Sequence, residues 1–351
     1  MLFRSGSSTP ISMTLERNDN ASLSGWVAYL PNPNSDATHS ITFTATMFEN
    51  GELDQYQPTG DYAIKFEKEA EEGKYQYMVT DYPGTIGLRF NFINGGTSGL
   101  MSNVKIRKAI SYSIDREEMI DAVYGRYNPA YSYVAPAITF NGSSYRDQVG
   151  EIMEDEYNEY VGDPDKIVAL FQEGLDELGV ETPIEDITLT YLTSGSTTEV
   201  QAEREYIQQS LEETLGLTVE LSVAGDTSLF IADRNEGNYD FFLGGWYSDY
   251  NDPLDFLYTN YTDAYGMSFG GYSNTDYDAL ADQLIGETDM DKRLDIYKQM
   301  EQILLLDDCA FAPIYYATKQ VLLQNWVKDY RTSSFGASAE FIWTYIDGKN
   351  Q

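Results

Sequence analysis

Beyond residue 103 the chain resolves into short apolar stripes punctuated by aspartate, proline and glycine. Val104, Ile106, Ile110 and Ile114 recur at helical spacing. Asp115-Arg116-Glu117-Glu118 offers an N-cap with a glutamate three residues on; Met119, Ile120 and Val123 continue the stripe, and Gly125 stops it. Asp163-Pro164 opens a second helix, with Ile167, Leu170, Phe171 and Leu178 as its buried stripe and Gly179 at its end. The pattern then alternates between types. Ile187 to Leu192 reads as a strand, Thr198 to Leu215 as a helix closed by Gly216, and Leu217 to Val223 as a strand with Leu217, Val219, Leu221 and Val223 on one face. That is a β-α-β unit with parallel strands. A helix over Thr227 to Glu236 and a strand over Tyr239 to Leu243 extend it. Two further helices, Asp276 to Ile285 and Lys292 to Leu306, precede strands at Phe311 to Ala317 and Gln320 to Leu323. Upstream, Ile41 to Met47 alternates apolar residues with threonines and predicts a half-buried strand. Tyr75 to Val79 and Gly87 to Phe92 predict two more, and Gly95 to Gly99 a flexible break.

Charge narrows the function. The 351 residues carry a formal net charge of −35, while 42% are hydrophobic and 14% aromatic, so the acid lies on a folded protein. Such a surface repels nucleic-acid phosphates and anionic membranes. With one cysteine, Cys309, no intrachain disulfide or cysteine-based zinc site can form. The only histidine, His39, lies in a Pro/Asn/Ser-rich loop and reads as a surface residue rather than a catalytic base. Phosphate-binding, dinucleotide-binding, nucleophile-elbow and zinc-protease motifs are missing, and no apolar run is long enough to span a membrane. No cofactor and no metal are expected.

The densest chemistry follows the third strand of the alternating segment, where ligands of such sheets sit. Gly244 to Pro253 reads as a loop containing Trp246, Tyr247, Asp249 and Tyr250. A carboxylate among aromatic rings is costly to bury unless a cation or donors satisfy it. Two readings stay open from the residues alone: Asp249 meets a ligand's ammonium group, or it caps the turn that Asn251-Asp252-Pro253 begins.

This stretch resembles the family of solute-binding proteins for oligopeptide and dipeptide ABC importers, extracellular solute-binding protein family 5. There a Trp-x-x-Asp-Tyr-x-[Asp/Glu]-Pro segment follows a strand of the second lobe, and Trp246, Asp249, Tyr250, Asp252 and Pro253 fit it at every fixed position. The helix from Val104 to Glu117 resembles the family's Val-Arg-x-Ala-x-x-x-Ala-Ile-Asp-Arg-[Glu/Asp], departing at Lys105 and Ser113. Asn50-Gly51-Glu52-Leu53-Asp54, Leu15-Glu16-Arg17-Asn18 and Ala312-Pro313-Ile314-Tyr315-Tyr316 resemble further segments in the family's order.

The resemblance implies an α/β, two-lobed periplasmic-binding-protein-like fold of type II, here the complete second lobe plus a partial first lobe. Residues 1–10 are expected to be a non-native or disordered end, 11–102 part of lobe one, 103–317 lobe two, and 318–351 a return segment to lobe one. It implies a monomer without enzymatic activity that captures an oligopeptide or dipeptide in an interlobe cleft and delivers it to ABC permease subunits. The location would be the outer face of the cell membrane, held by a lipid anchor, or the periplasm. Asp249 would pair with the peptide's α-amino group, Trp246 would line a side-chain pocket, and Tyr247 would offer main-chain hydrogen bonds. Tyr250, Arg234, Tyr315 and Tyr316 complete the candidate ligand set, although Tyr315 and Tyr316 alternate faces of a strand, so at most one faces a cleft. Some members have an arginine where Leu243 stands, so its absence leaves the peptide length preference open, and a tryptophan where Thr227 stands, so one pocket wall differs. As a fragment, this exact polypeptide is expected to bind ligand weakly or not at all. The rivals are the same fold binding a sugar oligomer or metal chelate, a hydrolase pairing Asp249 with Asp252 or Asp255, and a structural surface protein.

Overall fold

The computed structural model describes residues 14–17, 26–29, 45–58, 61–262, 269–335 and 340–349. The expectations for residues 1–10, for the His39 loop and for 41–44 lie outside the described residues. The chain divides into two compact units, residues 1–80 with 320–351 and residues 81–319.

In the first unit Thr14–Arg17 pairs antiparallel with Trp26–Tyr29. Ala45–Glu49 is helical, which corrects the strand expected through Met47. The apparent alternation of Ala45 and Met47 is incidental: Ala45 and Phe48, three apart, form the buried face. They pack with Leu53, Phe66, Tyr75 and Leu322. Gln55–Tyr56 pairs antiparallel with Leu322–Leu323. Asp54 takes hydrogen bonds from the Trp326 indole and the Lys349 ammonium, each at 2.7 Å.

Two long strands carry the chain between the units. The first, β1 (Gln76–Phe90), replaces the two short strands expected at Tyr75 to Val79 and Gly87 to Phe92. Its Pro83 and Gly84 continue the strand because Gly84 faces Tyr247 across a strand pair, and a side chain there would meet that ring at 2.3 Å. The other, Phe311–Leu323, is likewise one strand rather than two. In the second unit β1 is followed by α1 (Val104–Tyr112), α2 (Pro164–Leu178), β2 (Thr188–Ser194), α3 (Thr198–Leu215), β3 (Thr218–Ala224), α4 (Thr227–Glu236), β4 (Phe241–Tyr247), α5 (Pro253–Leu257), α6 (Thr275–Leu284), α7 (Met290–Gln302) and β5 (Phe311–Leu323). The sheet order is β5-β1-β4-β2-β3. β2 and β3 are parallel from Thr188↔Thr218 to Ser194↔Ala224, as the β-α-β reading requires. β4 runs parallel to β2 and antiparallel to β1.

The core joins Leu88 and Phe90 of β1, Ile106 and Ile110 of α1, Phe171 and Leu175 of α2, and Ile207 and Leu211 of α3. Leu175, not Leu178, completes the α2 stripe; Leu178 is exposed at the last turn. Val223 is also exposed, so only part of the expected β3 face is covered.

Asp115 accepts from the Glu118 amide at 3.0 Å, the expected cap. The next residue, Arg116, is fully buried. Its guanidinium is met by the carbonyls of Ala130, Pro313, Ser111 and Ile114 and by the Ser111 hydroxyl. A buried cation on this many acceptors ties the α1 region to β5. The expected flexible break at Gly95 to Gly99 is instead pinned. Asp240 accepts from the Ser98 amide and hydroxyl at 2.9 and 2.7 Å and from the Thr190 amide at 2.7 Å. Among the described residues no helix is long and apolar enough to cross a membrane.

Candidate functional site

The expected loop after Leu243 begins as strand. β4 continues through Gly244, Gly245, Trp246 and Tyr247, paired with β1 down to Tyr247↔Gly84. Gly245 permits this closeness, since a side chain there would stand 1.9 Å from the Thr85 carbonyl. Trp246 and Tyr247 alternate faces. They consequently belong to two different arrangements at one end of the strand.

Trp246 joins the aspartate loop. Its indole N–H donates to Asp255 Oδ2 at 2.7 Å, and the Asp249 amide donates to the same oxygen at 2.9 Å. Asp255 is buried on the short helix α5, whose N-cap is Asp252. Asp252 Oδ1 accepts from the Leu254 amide at 2.8 Å and from the Tyr297 hydroxyl at 2.9 Å. The capping role considered for Asp249 thus falls to Asp252. Asp249 itself is exposed. Among the described residues its carboxylate has no hydrogen-bonding or ionic partner, while its backbone is held by Asp255. Tyr250 is half exposed, and its carbonyl accepts from Ser248 Oγ at 2.6 Å and from the Asp252 amide at 3.0 Å. The loop is anchored a second time where Asn251 exchanges hydrogen bonds with Thr139, at 2.8 and 2.6 Å. A cavity of about 480 Å³ opens beside Asn251 and Asp252, next to Phe140, Met290 and Arg293; none of the candidate ligand residues lines it.

Tyr247 joins a cluster of tyrosines. Its ring lies 5.4 Å from Tyr82, and burial first, then Tyr127 and Tyr82, pushes its hydroxyl up to about 12. Tyr127 and Tyr315 stack at 4.4 Å with their planes 2° apart, and Tyr124 packs on both at 5.0 and 4.9 Å. The Lys319 ammonium stands 3.7 Å from the Tyr82 ring centre, and burial lowers its pKa. The first turns of α3 supply two acids to this cluster. Arg126 forms a two-nitrogen ion pair with Glu199. Glu203, one turn on, accepts from the Tyr124 hydroxyl. Burial, with the like charge of Glu199, raises the Glu203 carboxyl to about 7.

The seven candidates therefore do not form one set of contacts. Trp246 and Asp249 share the Asp255 carboxylate, and Tyr247 and Tyr315 share the tyrosine cluster. Tyr316, on the other face of β5, is buried with its hydroxyl 2.7 Å from Glu151. Arg234 is half buried in the last turn of α4, where its carbonyl accepts from the Gly237 amide. The sequence reading passed over Arg126, Tyr127, Glu199 and Glu203, and took Asp255 only as a possible acid-base partner. The signal was available: Glu199 and Glu203 are four apart on the first turns of a helix that follows a strand. Among the described residues no group of three or more His, Cys, Asp or Glu is placed to hold a metal ion.

The fold is that of the two-lobed solute-binding proteins. Residues 8–268 match the bacterial extracellular solute-binding proteins, family 5, and the chain belongs to that family. It is 28% identical over 281 residues to the dipeptide-binding protein DppE of Bacillus subtilis, covering 80% of this chain and 47% of that protein. It is 30% identical over 234 residues to the oligopeptide-binding protein OppA of the same organism, covering 65% of this chain and 39% of that one. The structure of Listeria monocytogenes OppA bound to peptide superposes with a TM-score of 0.67 at 28% identity, covering 86% of this chain and 55% of that one. The chain spans about half the length of the relatives it matches.

Proposed function

We propose that this chain is the ligand-capturing component of an ABC importer for peptides, acting by binding rather than catalysis. The observation that carries the reading is the fixed presentation of Asp249: its backbone and the Trp246 indole are held by one buried acid, Asp255, while its carboxylate is exposed. A peptide's α-amino group is the cation such a carboxylate suits. Trp246, Tyr247 and Tyr250 would flank the peptide's first residues. Tyr315 would support the cluster through Tyr124 and Tyr127, whereas Tyr316 and Arg234 would act on the surrounding frame. The names of DppE and OppA, a dipeptide and an oligopeptide binder, support the ligand class. In this reading the protein works as a monomer outside the cytoplasmic membrane, lipid-anchored or periplasmic, and hands ligand to permease subunits.

The hydrolase alternative loses its partner acids. Asp255 spends its carboxylate on Trp246 and the Asp249 amide, and Asp252 spends its own on a helix cap and Tyr297. Calorimetric titration of the full-length protein with di- to pentapeptides tests the proposal. Binding should be lost on N-acetylation of the peptide and weakened at least tenfold by Asp249→Ala, the usual scale for a charge-assisted pair. Equal affinity for acetylated and free peptides would sink it.

A further inference from the structure

The cavity beside Asn251 and Asp252 lies outside the candidate ligand residues. It holds about 480 Å³, within the range of small-molecule sites and far more than a bare ion fills. Three separate pieces of the second unit wall it: the hairpin that pairs Thr139–Phe140 with Ser143–Ser144, the loop after Asp249, and the turn from Glu287 into α7. The two Asn251–Thr139 hydrogen bonds clamp hairpin to loop, so the cavity is built into the fold.

Its chemistry follows from which lining atoms are already engaged. Asp252 Oδ1 accepts from the Leu254 amide and the Tyr297 hydroxyl, while among the described residues its Oδ2 has no partner. Glu287 Oε1 accepts from the Asp289 amide at 2.8 Å, and its Oε2 has only the ammonium of the largely exposed Lys292, at 3.8 Å. Arg293 is the one cation among the lining residues. Its terminal nitrogens donate to the Leu284 and Glu287 carbonyls at 3.1 and 3.2 Å and to the Tyr297 hydroxyl at 2.6 Å. The first amides of α7 are covered by their cap, since Asp289 accepts from Asp291 and Lys292. The lining thus keeps a net negative charge and two carboxylate oxygens open to a further donor. Phe140, buried edge-on against Tyr297, and Met290 add apolar wall. An anion would meet both acids, and a purely apolar group would strip them of water without compensation. An ammonium on an alkyl stem suits the oxygens and the apolar wall together.

We propose that this cavity is a second ligand site, for an alkylammonium group, with Asp252 and Glu287 as its acceptors. Two sources carry that chemistry: a free di- or polyamine, or a lysine side chain on a peptide held at Asp249, which lies two and three residues before Asn251 and Asp252. The first source goes beyond the capture reading, and the second rests on it.

Calorimetric titration of the full-length protein with cadaverine and with 1-pentanol tests the free amine. Titration with tri- to pentapeptides that carry lysine or norleucine at one position tests the side chain. Both are repeated in Asp252→Asn and Glu287→Gln, which keep an oxygen for the donors each acid already holds and remove only the charge. The ammonium should be preferred over its uncharged counterpart by about tenfold in at least one arm, and each substitution should cut that preference about threefold or more. The arm that responds names the source. Equal affinity for charged and uncharged probes in both arms overturns the proposal. So does an ammonium preference that both variants retain, which would be attraction to the acidic surface at large. If thermal melting shows Asp252→Asn unfolded, Glu287→Gln decides alone. The capture reading fails separately: norleucine peptides bound with Asp249 dependence leave it standing whatever the cavity does. Failure to bind any peptide removes it, and the cadaverine arm then decides the cavity.

Discussion

Glu301 and Glu203 are both carboxylates set among tyrosines in the second unit, on α7 and α3. Glu301 is fully buried and fully engaged. It accepts from the amides of Tyr133 and Val134 at 3.0 and 2.9 Å and from the Tyr145 hydroxyl at 3.0 Å, and it pairs with Arg146. Among the described residues Glu203 has one hydrogen bond, from the Tyr124 hydroxyl, and no ion pair. Glu203 is only partly covered and has fewer donors, and the number of donors separates an acid fully engaged by the fold from one whose carboxyl is pushed up to about 7. Asp255 lies between the two: buried, with two donors, it positions a loop whose own acid stays exposed.

The comparison is sharpened most by removing Glu301. Glu301→Ala would strand Arg146 in the interior and free two amides, which costs about 3–5 kcal/mol. Urea unfolding monitored by circular dichroism should show this loss, and a cost near that of a surface substitution would mean the network is not structural.

Glu203 should behave in the opposite sense. Its carboxyl sits at about 7 in the folded protein, against 4.5 as its ordinary value. Between those values the folded state binds more protons than the unfolded one, so stability falls as pH rises through the window and the loss is complete above the folded value. Glu203→Gln removes that slope. By pH 8 the variant should be more stable than wild type by on the order of 2 kcal/mol, and near pH 4 the two should agree. Unfolding free energies measured from pH 4 to 8 decide this, and parallel curves for the two proteins would show that Glu203 is no more hindered than a surface acid.

The same contrast explains what the sequence made legible. Crossover helices and parallel strands were readable because their caps and stripes are local: Asp163 before Pro164, Gly179 and Gly216 at helix ends, and the period-2 run up to Val219. The family was readable because the Trp246-to-Pro253 motif is contiguous. What failed depended on partners distant in sequence. The stretch from Tyr75 to Phe92 looks like two strands until Tyr247 pairs opposite Gly84, and Ala45 to Met47 looks like a strand until Phe48 is drawn into a helical core face. Residues 95 to 99 look flexible until Asp240, far along the chain, gathers Ser98. At the site, the motif singled out Asp249 as a candidate. The acid that holds it and the acid beneath the tyrosines were not, since each is defined by donors that only the fold brings together.

Asp255 gives the smallest effect and separates positioning from stability. In Asp255→Asn the amide oxygen can still accept from the Trp246 indole and the Asp249 amide, but as a neutral acceptor, roughly half as strong as the carboxylate. The fold should lose only about 1 kcal/mol, because the neutral amide oxygen still accepts from both donors, which lie at the end of β4 and in the loop just past it. Ligand affinity should fall more than stability, by about fivefold to tenfold, because Asp249 then has to be ordered during binding. Tryptophan fluorescence follows the first step, since Trp246 loses its charged partner, and calorimetry follows the second. A variant that lowers stability and affinity in equal proportion would make Asp255 a second Glu301. One that lowers affinity alone would confirm that a buried acid here orders the loop that presents the exposed one.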